Sequence, residues 1–125
     1  MKLFISLICI IGFITGCDRG EPEDVSFSND IKPILNRSCT PCHNRARPQG
    51  NIDLSSYEAL MESQYFTRRE PIVLPENARD SRLYIVITTR REGLRMPPED
   101  SDFRRVSNRN AERIRVWIEE GAENN

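Results

Sequence analysis

The sequence predicts an all-α fold of about four short helices joined by long loops, and three observations carry that reading. Apolar residues recur at helical spacing in four stretches, and a polar residue able to cap a helix stands before each. The one β-branched run, Ile85-Val86-Ile87-Thr88-Thr89, has no evident partner strand. Proline and glycine punctuate the connections, which are long enough to be poor structure unless something fills the middle.

The first helix is read from Phe27, Ile31, Ile34 and Leu35, which fall on one face, with Ser28 or Asn29 as cap and Pro33 early enough to be tolerated. Asn44 to Asn51 contains Pro48 and Gly50, has no period, and reads as a loop. Ser55, followed three residues later by Glu58, has the pattern of a capping box for a short helix carrying Tyr57, Leu60 and Met61 inward. Pro71 and Pro75 break the next stretch. Asp80 or Ser81 then caps a third helix with Leu83, Tyr84 and Ile87. Ser107 opens a last helix with Ala111, Ile114, Trp117 and Ile118 inward, ended by Gly121.

Just after the first helical stripe stands Cys39-Thr40-Pro41-Cys42-His43. On one turn of helix, positions i, i+3 and i+4 share a face, so both sulfurs and the imidazole can meet one edge of a porphyrin. Two thioether bonds and an iron–nitrogen bond are what that spacing allows. The alternatives are a redox dithiol and half of a zinc site. A dithiol enzyme needs a βαβ scaffold around the motif, which is not evident here. Zinc needs more ligands than a chain with a single histidine and no further free thiol supplies without carboxylates.

The N-terminus has the pattern of an export signal: Lys2, then an apolar run from Leu3 to Ile14 that is too short to span a bilayer stably. Ile14-Thr15-Gly16-Cys17 resembles the lipobox of bacterial lipoproteins, which implies cleavage of residues 1–16, a diacylglycerol on Cys17, and loss of Cys9 with the leader. Every remaining cysteine then has a task. Asp18 is similar to a signal that retains some lipoproteins at the inner membrane. Residues 17–26 are acidic and aperiodic and read as a disordered tether, leaving 27–125 as one domain with one modest core. Without Lys2 the chain carries 17 basic and 19 acidic residues, which argues against nucleic acid as a partner. The middle is cationic, with 12 basic and 8 acidic residues over 68–115.

An iron held by His43 needs a sixth ligand or an open site, and no second histidine exists. Met61 and Met96 are the methionines left in the mature chain. Met61 lies on a helical stripe, where a core role suits it. Met96 stands in Gly93-Leu94-Arg95-Met96-Pro97-Pro98, where two prolines stiffen the loop that presents its sulfur, as a distal iron ligand requires.

From Phe27 to Ala122 the chain resembles the planctomycete-type c-type cytochromes, which are similar to class I cytochromes c. The resemblance rests on Asp30 to Leu35, the Cys39-x-x-Cys42-His43 motif, Gly50 to Met61, Pro75 through Tyr84, Arg95-Met96-Pro97-Pro98 and Trp117 to Ala122. It departs at Gly50-Asn51, Pro75 to Ala78 and Glu62 to Glu70, where the family carries more glycine. The resemblance implies a cytochrome c-like fold around one covalent haem c, with Cys39 and Cys42 in thioether linkage, His43 as proximal ligand and Met96 as distal ligand.

The function expected from these readings is that of a monohaem electron carrier, lipid-anchored on the periplasmic side of a bacterial membrane, exchanging single electrons with extracytoplasmic redox proteins. The alternative is a haem sensor, or a redox subunit of a larger complex, whose distal ligand can be displaced. A third reading makes the haem only a folding staple. No nucleophile–base pair stands out, so an enzyme is not expected. The shell around the haem is expected from Phe27, Leu35, Leu54, Leu60, Leu83, Tyr84, Leu94, Trp117 and Ile118, with Tyr57, Tyr84 and Trp117 able to donate to a propionate. Arg45, Arg47, Arg90, Arg91 and Arg95 flank the ligand-bearing segments; they either neutralise propionates and steer an acidic partner, or pair locally, as Arg91 with Glu92 or Arg95 with Glu99.

Overall fold

Polar caps and apolar stripes place the helices, and the computed structural model, which describes residues 24–125, follows them with small shifts. The expected leader with Cys9, the expected lipid site Cys17 and most of the expected tether lie outside the described residues. The folded body begins earlier than Phe27. Val25 is buried in the core, and it is Ser26, not Ser28 or Asn29, whose hydroxyl accepts the Asn29 N–H at 3.3 Å. A wide first turn, Phe27–Ile31, runs directly into α1, Lys32–Ser38, with Pro33 in the first turn of α1, where its missing N–H costs nothing.

After α1 the main chain makes a two-residue antiparallel ladder, β1 (His43–Asn44) with β2 (Arg47–Pro48), and then a tight turn, Gln49–Asn51. Helix α2, Tyr57–Glu62, starts one residue later than the capping-box pattern suggests: Ser56 caps it by accepting from Ala59 N–H at 3.1 Å. Ser55 instead donates to the Asp53 carboxylate at 2.6 Å. A second ladder, β3 (Gln64–Tyr65) with β4 (Glu70–Pro71), folds the following stretch back on itself. The all-α expectation is therefore corrected to a helical frame with two minimal antiparallel ladders. Loop segments that approach each other must pair their N–H and C=O groups somewhere, and two-residue ladders do so where the side-chain pattern shows no alternation.

The β-branched run is helical, as expected: α3 spans Arg82–Thr88. Ser81 holds the N-cap position, yet its hydroxyl is turned to the preceding loop, accepting from Leu74 N–H at 2.8 Å and lying 2.8 Å from the Asn77 carbonyl. The last helix, α4, spans Asn108–Glu119 and is capped by Ser107, which accepts from Asn110 N–H at 3.2 Å. Gly121, at φ +103°, turns the chain out of it, so that Ala122 N–H reaches the Trp117 carbonyl at 2.8 Å.

Helix α4 packs against both the Phe27–Ile31 turn and α3. Trp117, Ile118, Ile114, Ile31, Leu35 and Leu60 are all but fully buried where these elements meet. Phe27 joins them, its ring edge-on to Tyr57 at 5.2 Å and tilted against Trp117 at 5.7 Å. The C-terminus closes over this cluster: Asn125 accepts from Phe27 N–H at 2.7 Å and from Ser28 N–H at 3.0 Å. One side of the frame is thus solid. The loops between α1 and α4 are left to enclose the other side.

Candidate haem site

Helix α1 stops at Ser38, so Cys39, Cys42 and His43 stand in a turn beyond the helix and not on it. Their common face survives because the turn keeps helical bonding: His43 N–H donates to the Cys39 carbonyl at 2.9 Å, and Cys42 N–H to the same oxygen at 3.1 Å. Cys39 is buried, while Cys42 and His43 are half-buried. Both cysteines are free thiols.

The backbone of His43 is fixed by the β1–β2 ladder and by Leu54 N–H, which donates to its carbonyl at 2.9 Å. Its ring Nδ1 lies 2.9 Å from the Gln49 carbonyl. A carbonyl only accepts, so Nδ1 carries the proton and the lone pair is left on Nε2, the nitrogen free to bind a metal. Gly50, at φ +65°, allows the turn that presents this carbonyl. Gln49 was not recognisable from sequence, since its backbone and not its side chain does the work.

Met96 arrives from the far side of the chain. Its N–H donates to the Val86 carbonyl at 2.9 Å, tying the loop before Pro97 to α3. The side chains of Cys39, Cys42, His43 and Met96 all line one cavity of about 310 Å³, within the usual size range of small-molecule and cofactor sites. Met61 does not line it; it packs from α2 against the core.

Of the expected shell, Leu54, Leu83 and Leu94 face this cavity. Phe27, Leu35, Leu60, Trp117 and Ile118 do not line it; they form the solid core. Tyr84 lines a separate shallow depression beside Arg115. The expected propionate donors are otherwise engaged: Tyr57 Oη donates to the Ala122 carbonyl at 2.8 Å and Trp117 Nε1 to the Glu123 carbonyl at 2.9 Å. The remaining apolar wall comes from Ile52, Ile72, Val86, Ile87 and Phe103. Ile72 and Phe103 sit in stretches without period, so no signal marked them. Val86 and Ile87 lie on α3, from which the sequence reading took only Leu83 and Tyr84 into the shell.

The arginines divide. Arg45, Arg47, Arg90 and Arg91 are exposed, and Arg95 pairs with Glu99 at 3.3 Å, as the local reading expected. Glu99 also receives Arg105 at 2.6 Å. No Arg91–Glu92 pair forms among the described residues.

Burial, reinforced by the neighbouring Cys42, pushes the Cys39 thiol up to about 12. A dithiol oxidoreductase works through a thiolate, and here the buried sulfur is held as thiol at neutral pH. Among the described residues no three His, Cys, Asp or Glu side chains gather as a metal cluster, so the zinc reading also lacks ligands. What the cavity does offer is two sulfurs, one oriented imidazole nitrogen and one thioether, set in an otherwise mostly apolar wall. Those donors fit a haem attached through two thioethers.

A helical frame whose loops bring a Cys-x-x-Cys-His turn and a methionine to one apolar cavity has the form of a c-type cytochrome. Residues 39–100 match the family described as Planctomycete cytochrome C, and the chain carries a planctomycete-type cytochrome c domain. The match starts at Cys39 and ends just past the Met96 loop, so it covers both segments that reach the cavity. No curated protein and no solved structure matches the chain. A domain of this family points to haem binding and electron transfer.

Proposed function

We propose that the protein is a membrane-tethered monohaem electron carrier whose iron is held between His43 and Met96. The observation that carries this reading is the convergence of His43 and Met96 on the cavity that also holds Cys39 and Cys42. When bound, the haem supplies a one-electron Fe(III)/Fe(II) couple, and methionine as sixth ligand raises its potential relative to a second imidazole.

The protein's own groups do the rest. Cys39 and Cys42 provide the two sulfurs for thioether bonds, which keep the group from dissociating in an exported protein. The Gln49 carbonyl holds the His43 ring through Nδ1 and leaves Nε2 free to bind the iron. The loop ending in Pro97 and Pro98 limits the positions open to the Met96 sulfur. The apolar wall of Leu54, Ile72, Leu83, Val86 and Leu94 keeps water away, so a change of charge reorganises little around it.

Lipid attachment at Cys17, exposure on the periplasmic side and exchange with soluble or membrane redox proteins belong to the same proposal. They rest on the lipobox-like Ile14-Thr15-Gly16-Cys17. Among the described residues no helix is long and apolar enough to cross a membrane. The competing reading, a sensor with a displaceable distal ligand, differs only in the strength of the Met96 bond.

Expression with a cytochrome c maturation system and optical spectra of both oxidation states test the proposal. The wild type is expected to hold a low-spin haem that acid–organic extraction does not remove. Met96→Ala is expected to turn high-spin or to take a foreign ligand, while Met61→Leu keeps the wild-type spectrum. A Met96→Ala spectrum identical to wild type would refute His/Met ligation.

A further inference from the structure

Arg82, the first residue of α3, lines the haem cavity and also a wider groove of about 910 Å³ beside it; Tyr65, Gly93 and Leu94 are shared by both. Its guanidinium lies 4.1 Å from the centre of the Tyr65 ring. Its Nε is shielded from solvent and has no hydrogen-bond partner. Among the described residues no carboxylate pairs with it, although Glu70, Asp80 and Glu92 line the neighbouring groove together with Arg68 and Arg91.

A guanidinium stays charged at any accessible pH, and a desolvated donor left without an acceptor is costly. The backbone that carries the side chain is held on both sides. Ser81 before it is bound through its hydroxyl to Leu74 and Asn77, and Leu83 N–H after it donates to the Ile72 carbonyl at 2.9 Å. Tyr65 holds the guanidinium from one side through a cation–π contact. An oriented, unpaired cation facing an apolar cavity calls for an anion inside it.

We infer that Arg82 receives a haem propionate and thereby raises the potential of the bound iron. This rests on the haem-carrier reading and adds to it a specific counter-ion. The propionates are the carboxylates that a c-type haem brings, and a guanidinium fork is the side chain best shaped to hold a carboxylate through two parallel bonds. The arginines that flank the ligands in sequence do not serve here: Arg45, Arg47 and Arg90 are exposed and line neither cavity, and Arg95 is paired with Glu99. Holding a positive charge beside the ring disfavours Fe(III), so its removal lowers the potential.

The test uses the matured holoprotein and compares wild type with Arg82→Gln, Arg82→Lys and Arg90→Gln by redox titration and resonance Raman spectroscopy. Arg82→Gln is expected to shift the Fe(III)/Fe(II) equilibrium about tenfold toward Fe(III), about 59 mV for one electron, and to move the propionate bending band. Arg82→Lys keeps the charge and loses the fork, so it is expected to recover most of the potential while the propionate band still moves. Arg90→Gln is expected to stay within about twofold of wild type. The inference is overturned if Arg82→Gln leaves both readouts at wild type or if Arg90→Gln shifts the potential as far. Should Arg82→Gln fail to mature, an unmoved propionate band in Arg82→Lys overturns it alone. A wild-type protein that retains no haem would instead overturn the carrier reading.

Discussion

Cys39 and Cys42 are three residues apart and yet meet different surroundings. Cys39 is buried in the core cluster and Cys42 is half open. In protein expressed without haem attachment, iodoacetamide is expected to alkylate Cys42 well before Cys39, as peptide mass spectrometry would show; comparable rates would contradict the burial of Cys39. The pH dependence of the haem-free form follows from the same residue. The Cys39 thiol is pushed up to about 12 in the fold, so the unfolded chain loses its proton first as pH rises. Stability is therefore expected to be full below the ordinary thiol range of about 8.5 and to fall as pH climbs from there toward 12. Denaturant titrations of the haem-free protein and of its Cys39→Ala variant would expose that difference. In the thioether-linked protein the sulfur has no proton to lose and this part of the pH dependence vanishes. The identity of these residues was legible from their spacing. Their unequal burial was not, because it depends on which neighbour packs over the turn.

Helix α4 is the element that the rest of the frame leans on, touching both the first turn and α3. Trp117 is 1% exposed at that junction, and Trp117→Ala is expected to cost about 3–5 kcal/mol in urea unfolding. The haem, if covalently attached, is expected to stay with the chain even so, which separates packing from attachment. On the outer face of α4, Arg115 binds Glu112 at 2.6 Å and also Glu119. The Arg115 hydrogen bond holds the Glu112 carboxyl below its usual range, so the pair contributes stability at neutral pH that is lost as pH falls through the folded-state value. The group is partly exposed and water screens it, so Glu112→Gln is expected to cost only about 0.5 kcal/mol, readable as a small change in urea midpoint. Helix positions were readable because a packed helix must repeat its apolar residues at 3.6 spacing. The caps slipped, from Ser55 to Ser56 and from Ser28 or Asn29 to Ser26, because neighbouring serines offer the same hydroxyl and only the backbone path selects one. The two short ladders left no pattern at all, since two residues per strand cannot show alternation.

The molecule as a whole divides into a solid helical side and a loop-built side that encloses the cavity. Its charge is also uneven, with the excess of arginine over 68–115 coming to the surface at residues such as Arg90 and Arg91 on the approach to the Met96 loop. If that rim steers an acidic redox partner, electron-transfer rates are expected to fall as salt shortens the screening length from about 30 Å to about 8 Å. Rates indifferent to salt in stopped-flow measurements would count against steering. By itself the sequence determined the Cys-x-x-Cys-His motif and the four helices, and it singled out Met96 rather than Met61 as the candidate distal ligand. Each of these follows from local rules: spacing along a helix, caps at its ends, and proline beside a methionine. Only the tertiary structure decided that the Gln49 carbonyl orients His43, that Tyr57 and Trp117 spend their donors on the C-terminal segment, and that Arg82 faces the cavity without a partner. Those facts depend on which distant segments share a wall, and a hydrogen bond between residues far apart in the chain leaves no trace in the spacing of either.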